Sequence, residues 1–142
     1  MIKKLIFLVA VCLAIGVSSN RAETPYTPTA GSAERKEIMD VLRIPCEKDL
    51  GQRVIFRVQH LRVIGESALA RVVPTRPDGS DIDYAKTKYR EENEEGTFGG
   101  EGEALLRRDG GKWKLLEWRF GASDTEVPEW LEKYHAPAAL NN

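Results

Sequence analysis

The chain has 142 residues, 42% of them hydrophobic, with 21 Lys and Arg against 22 Asp and Glu. This near-neutral balance gives no electrostatic footprint for a nucleic-acid phosphate backbone and so argues against nucleic acid as a partner. The length sets one small domain with one core.

Residues 1–22 read as a secretory signal peptide. Met1-Ile2-Lys3-Lys4 is a basic start, residues 5–17 are apolar apart from Gly16, and Ser18-Ser19 supply the small residues of a cleavage zone. The apolar run is too short for a bilayer, which needs roughly 20 residues, so the mature protein is expected not to span a membrane. Cleavage after Ser19 puts Val17 at the −3 position, and cleavage after Ala22 puts Asn20 there, a poorer fit. The second choice removes Lys3, Lys4 and Arg21, leaving 18 basic against 22 acidic residues, and moves the net charge from −1 to −4. Cys12 leaves with the signal, so the single mature cysteine, Cys46, has no internal disulfide partner. The expected location is the periplasm or outside the cell.

Residues 23–31, with Pro25 and Pro28, form an extended leader. The domain proper is residues 32–142. Ser32 is an N-cap, and Ile38, Val41 and Leu42 recur at helical spacing behind it. Pro45 opposes helical geometry, which predicts a helix ending near Arg43, with a possible second turn from Cys46 to Leu50 and a stop at Gly51. Residues 53–64 read as a strand whose alternation slips near Gln59-His60, the signature of a bulge. Residues 67–74 read as the next strand, with Ala68 and Ala70 leaving room for a helix. Pro77-Asp78-Gly79 is a turn. Residues 77–101 form an insertion that reads as mobile or as a solvated helix, carrying the run Glu91-Glu92-Asn93-Glu94-Glu95.

Residues 103–108 and 112–120 form a hairpin around Gly110-Gly111. A two-residue turn pairs Leu106 with Leu115, Arg108 with Trp113, Leu105 with Leu116 and Glu103 with Trp118. A short terminal helix follows, capped by Ser123, Asp124 or Thr125, with Pro128 in its first turn and Trp130, Leu131 and Tyr134 on one face. The resulting fold class is α+β: one N-terminal helix packed on a curved four-stranded antiparallel sheet, with a short C-terminal helix.

Four segments carry a resemblance: Gly31-Ser32-Ala33-Glu34-Arg35-Lys36, residues 56–63, Ala104-Leu105-Leu106-Arg107-Arg108 running to Trp113, and Gly121-Ala122-Ser123-Asp124. They resemble a group of small exported bacterial proteins built as single cystatin-like or NTF2-like domains, with no established activity. The resemblance implies the fold, export and a Gram-negative source, and transfers no site residues.

The chemistry-bearing residues are sparse. His60, His135 and Cys46 lie too far apart for metal-ligand spacing, so no metal and no cofactor is expected. Arg107, Trp113, Trp118 and Arg119 are the candidates for an aromatic and arginine docking face. His60 is the candidate for a pocket between helix and sheet, since it is the base available on a strand. Two functions stay open. One is an exported, non-enzymatic domain that binds a protein or cell-envelope component in the periplasm. The other is an NTF2-like small-cavity enzyme or small-molecule binder. The oligomeric state is left open.

Overall fold

A computed structural model describes residues 23–122 and 124–142. The signal-peptide reading of residues 1–22 and the capping role of Ser123 lie outside the described residues. No helix among the described residues is long and apolar enough to cross a membrane.

The fold is α+β. Helix α1 spans Ala33–Leu50 and is followed by strands β1 (Ile55–Ile64) and β2 (Ser67–Thr75). The insertion carries a 3-10 turn at Tyr84–Lys86 and helix α2 at Arg90–Glu94. Strands β3 (Gly102–Asp109) and β4 (Lys112–Phe120) complete the sheet, and helix α3 (Val127–Lys133) and a 3-10 turn at Ala138–Asn141 close the chain. The sheet is an antiparallel meander in the order β1-β2-β3-β4. Two-residue turns join β1 to β2 and β3 to β4, while the insertion joins β2 to β3.

Ser32 caps α1 as expected, its Oγ accepting from the Arg35 N–H at 3.2 Å. The expected end near Arg43 is corrected: the helix runs through Pro45 to Leu50. Proline lacks the N–H that would meet the Val41 carbonyl, a cost of about 3 kcal/mol in a helix interior. Burial offsets it. Ile38, Leu42, Cys46 and Leu50 form one stripe at four-residue spacing, all buried. The last two pack with Val54, Ile82 and Phe120, and a buried leucine alone stabilises by about 1.5–3 kcal/mol. Gly51, in the left-handed region at φ 64°, then ends the helix with its N–H on the Glu47 carbonyl. The Arg43 and Glu47 side chains bond the carbonyl and N–H of Val54, tying the helix end to the start of β1.

The bulge expected near Gln59 is present: Val58 faces Val72, His60 faces Arg71, and Gln59 has no partner. A second bulge corrects the hairpin. Leu106 faces Leu115 and Arg108 faces Trp113 as expected, but Leu105 faces Glu117 and Glu103 faces Arg119, with Leu116 as the extra residue. One inserted residue reverses every later side chain. Trp113 and Trp118, of opposite parity, therefore share the face toward α1.

That inner face packs Ile38 and Leu42 against Leu61, Val63, Ala68, Ala70, Ala104, Leu106 and Trp113. The small side chains of Ala68 and Ala70 admit the helix. The outer face is covered as well. Ile64, Leu69 and Leu105 pack there against Val127, Trp130, Leu131 and Leu140. The sheet is thus sandwiched between α1 and the C-terminal segment. The insertion builds a third cluster at the Leu50 end of α1. Tyr84, Tyr89 and Phe98 pack on Phe120 and its neighbours, with ring centroids 4.8–5.4 Å apart. Gln52 holds this segment in place. Its amide donates to the Asp83 carbonyl at 3.0 Å and accepts from the Asp83 N–H at 3.1 Å.

Candidate functional site: a charged row on the outer sheet face

Register and alternation bring one polar side chain from each strand into a single cross-strand row on the outer face. His60 faces Arg71, Arg71 faces Glu103, and Glu103 faces Arg119. The two bulges make this row possible. If Gln59 were paired in regular alternation, His60 would fall on the inner face with Val58. If Leu116 were paired likewise, Trp118 rather than Arg119 would stand opposite Glu103.

Each member of the row is held. The Arg71 Nε donates to Glu103 Oε1 at 3.0 Å, with both side chains largely buried. The Arg71 Nη2 also donates to Asn141 Oδ1. The Thr125 hydroxyl donates to the Glu103 carboxylate at 3.0 Å. Arg119 pairs with Glu126 at 2.8 Å. The His60 Nε2 lies 2.8 Å from the Leu140 carbonyl. A charge pair removed from water needs such supporting hydrogen bonds, and here both partners have them.

At the β4 end of the row a polar cleft of about 280 Å³ opens between the strands and the connection to α3. Glu101, Glu103, Arg119 and Thr125 line it, with Gly99 opening one wall. It offers carboxylate acceptors beside a guanidinium and a hydroxyl, a set suited to holding a polar group by paired hydrogen bonds. Nearby on the same face, the Lys133 ammonium, 2.9 Å away, and the Tyr134 hydroxyl hold the Glu117 carboxyl below the usual carboxylate range.

The residues singled out from the sequence divide between the two faces. His60, Arg107 and Arg119 lie on the outer face, where the Arg107 Nη2 donates to the Tyr134 carbonyl at 2.5 Å and its guanidinium lies over the Tyr134 ring. Trp113 and Trp118 lie on the inner face. Trp113 is 4% exposed and belongs to the core. Trp118 is half-buried, stacks on Phe120 and donates its Nε1–H to Asp49 at 3.3 Å. The four docking candidates therefore do not form one patch. His60 points away from the space between α1 and the sheet, toward the C-terminal turn.

Arg71 and Glu103 were not among the expected site residues. Their signal was a lone charge set between small or apolar neighbours on a strand: Ala70-Arg71-Val72 and Gly102-Glu103-Ala104. Among the described residues no group of three or more His, Cys, Asp and Glu is placed to hold a metal ion. Cys46 is fully buried, and burial, reinforced by Asp49 and Glu47, pushes its thiol up to about 12. No protein-family model matches the chain, nor does any curated protein or solved structure.

Proposed function

We propose that the chain is an exported, non-enzymatic domain of curved, cystatin-like or NTF2-like architecture that binds a protein or cell-envelope component in the periplasm. The observation that carries this reading is the cleft at the end of the charged row, where Glu101, Glu103, Arg119 and Thr125 present donors and acceptors to one small volume. The space that a small-cavity enzyme of this architecture would use is occupied by side chains. Trp113 and Trp118 pack between α1 and the sheet, and the rings of Tyr84, Tyr89 and Phe98 fill the end beside Leu50. Recognition by the outer face therefore accounts for more of the polar side chains than catalysis in the interior does.

The test is capture from periplasmic extract with a cross-linker, comparing the wild type with Arg119→Ala and Trp118→Phe. A stoichiometric partner lost with Arg119→Ala and retained with Trp118→Phe supports the reading. A small molecule that co-purifies with the chain and is chemically converted by it overturns the reading.

A further inference from the structure

The outer face carries a second feature beyond the cleft: a groove seated by the chain's own last turn. Leu140 is fully buried among Ile64, Leu69, Leu105 and Leu131. Around it, three side chains of the sheet bond three successive residues. Arg62 donates to the Ala139 carbonyl at 3.3 Å, His60 meets the Leu140 carbonyl at 2.8 Å, and Arg71 donates to the Asn141 side-chain oxygen. Two of these contacts read main-chain carbonyls, the groups that the end of a helical turn leaves without partners. The groove therefore selects a short turn that carries one aliphatic side chain between small residues.

The segment joining this turn to α3 is short and strained. His135 has φ 51°, the one positive-φ residue other than glycine among the described residues. An L-residue pays for that conformation through contact of its Cβ with the backbone. Pro137 follows two residues later, immediately before the turn. A short hinge under strain, carrying an anchor into a groove on the same chain, is the arrangement that favours exchange of the anchor between copies. Opening the hinge releases the strain at His135 and gives up the cap bond from the Ala136 N–H to the Leu131 carbonyl, and the groove of a second copy offers identical contacts.

We propose that the C-terminal turn is an exchangeable element: Ala138–Asn142 of one copy docks in the groove of a second, with residues 135–137 as the hinge. The proposal rests on reading the outer face as a binding surface. Its failure is separable from failure of that reading, because a protein that stays monomeric yet captures a partner through Arg119 overturns exchange alone.

The experiment is light scattering on the purified protein across a wide concentration range, with His135→Gly and Leu140→Asp alongside. The expected result is a concentration-dependent dimer. His135→Gly weakens it several-fold, because glycine removes the strain of the closed hinge. Leu140→Asp abolishes it. The Leu140→Asp protein, its groove vacated, is also expected to bind a synthetic peptide of residues 135–142 saturably, read through the emission of the neighbouring Trp130. If Leu140→Asp misfolds by circular dichroism, the His135→Gly comparison decides. A monomer at every concentration overturns the proposal. If the peptide still binds in that case, the groove holds only the turn of its own chain. A dimer left unchanged by His135→Gly also overturns it.

Discussion

Gly102 lies against the indole of Trp118 so closely that a Cβ on Gly102 would fall 2.4 Å from the ring. The two residues sit on neighbouring strands, Gly102 facing Phe120 and Trp118 facing Ala104. The far end of the ring therefore abuts the backbone of β3, and the ring is stacked on Phe120 with the two planes 6° apart. Gly102→Ala is expected to destabilise the domain by about 1–3 kcal/mol, the usual cost of overpacking, since either the indole or the strand must shift. Denaturant unfolding followed by tryptophan emission measures this directly. An unchanged midpoint would mean that the ring moves aside freely.

The same pair marks where sequence reasoning stops. Helix α1, the four strands, the bulge at Gln59 and the cap at Ser32 follow from local chemistry: periodicity, a hydroxyl before an apolar stripe, and a slip in alternation. The bulge at Leu116 leaves no such trace, because Leu115 and Leu116 are both apolar and either register buries a leucine on each face. Only packing decides, by placing Leu116 with Tyr134 and Ala139 on the outer side and Trp118 with Phe120 on the inner side. The run of α1 through Pro45 was hidden for the same kind of reason. A local penalty is visible in the residue itself, whereas the compensating burial of Cys46 and Leu50 depends on partners as remote as Ile82 and Phe120. The charged row was half legible. His60 and Arg119 stood out by residue type, but their alignment with Arg71 and Glu103 needs both bulges.

Cys46 predicts a pH dependence. Its thiol ordinarily titrates near 9, and burial first, then the nearby Asp49 and Glu47 charges, push it up to about 12 in the folded chain. Between these values the unfolded chain releases a proton that the folded chain keeps. The unfolded state then binds fewer protons, so stability falls as pH rises from about 9 to about 12, with a limiting slope of about 1.4 kcal/mol per pH unit from this group. Chemical denaturation at pH 8 and pH 10 is expected to show the loss in wild type and a smaller one in Cys46→Ala. Native protein at pH 8 is also expected to react with a thiol reagent only as fast as it opens.

The aromatic cluster gives the insertion its anchor. Phe98 contacts Tyr84, Tyr89 and Phe120 within 5.4 Å, and a Cβ at Gly121 would strike its ring at 2.0 Å. Phe98→Ala is expected to cost roughly 2–3 kcal/mol, below the range for a fully buried phenylalanine because this ring is half-buried. Protease cleavage within residues 84–97 is expected to accelerate in this variant. Equal cleavage rates in both proteins would show that the rings do not hold the segment.

Arg71 and Glu103 form the pair on which the outer face turns, their side chains 21% and 13% exposed. Glu103→Ala leaves a largely buried guanidinium with only Asn141 and removes the acceptor of the Thr125 hydroxyl. The expected loss is about 2–3 kcal/mol, somewhat below the value for a fully buried pair because both groups keep some contact with water. Replacing both residues, as in Arg71→Met with Glu103→Leu, removes the unpaired charge together with its partner. The double variant is expected to be less destabilised than Glu103→Ala alone. Thermal unfolding of the full double-mutant cycle tests this. Strictly additive losses would mean that the two side chains are held independently, by Asn141 on one side and Thr125 on the other, and that the row does not act as a unit.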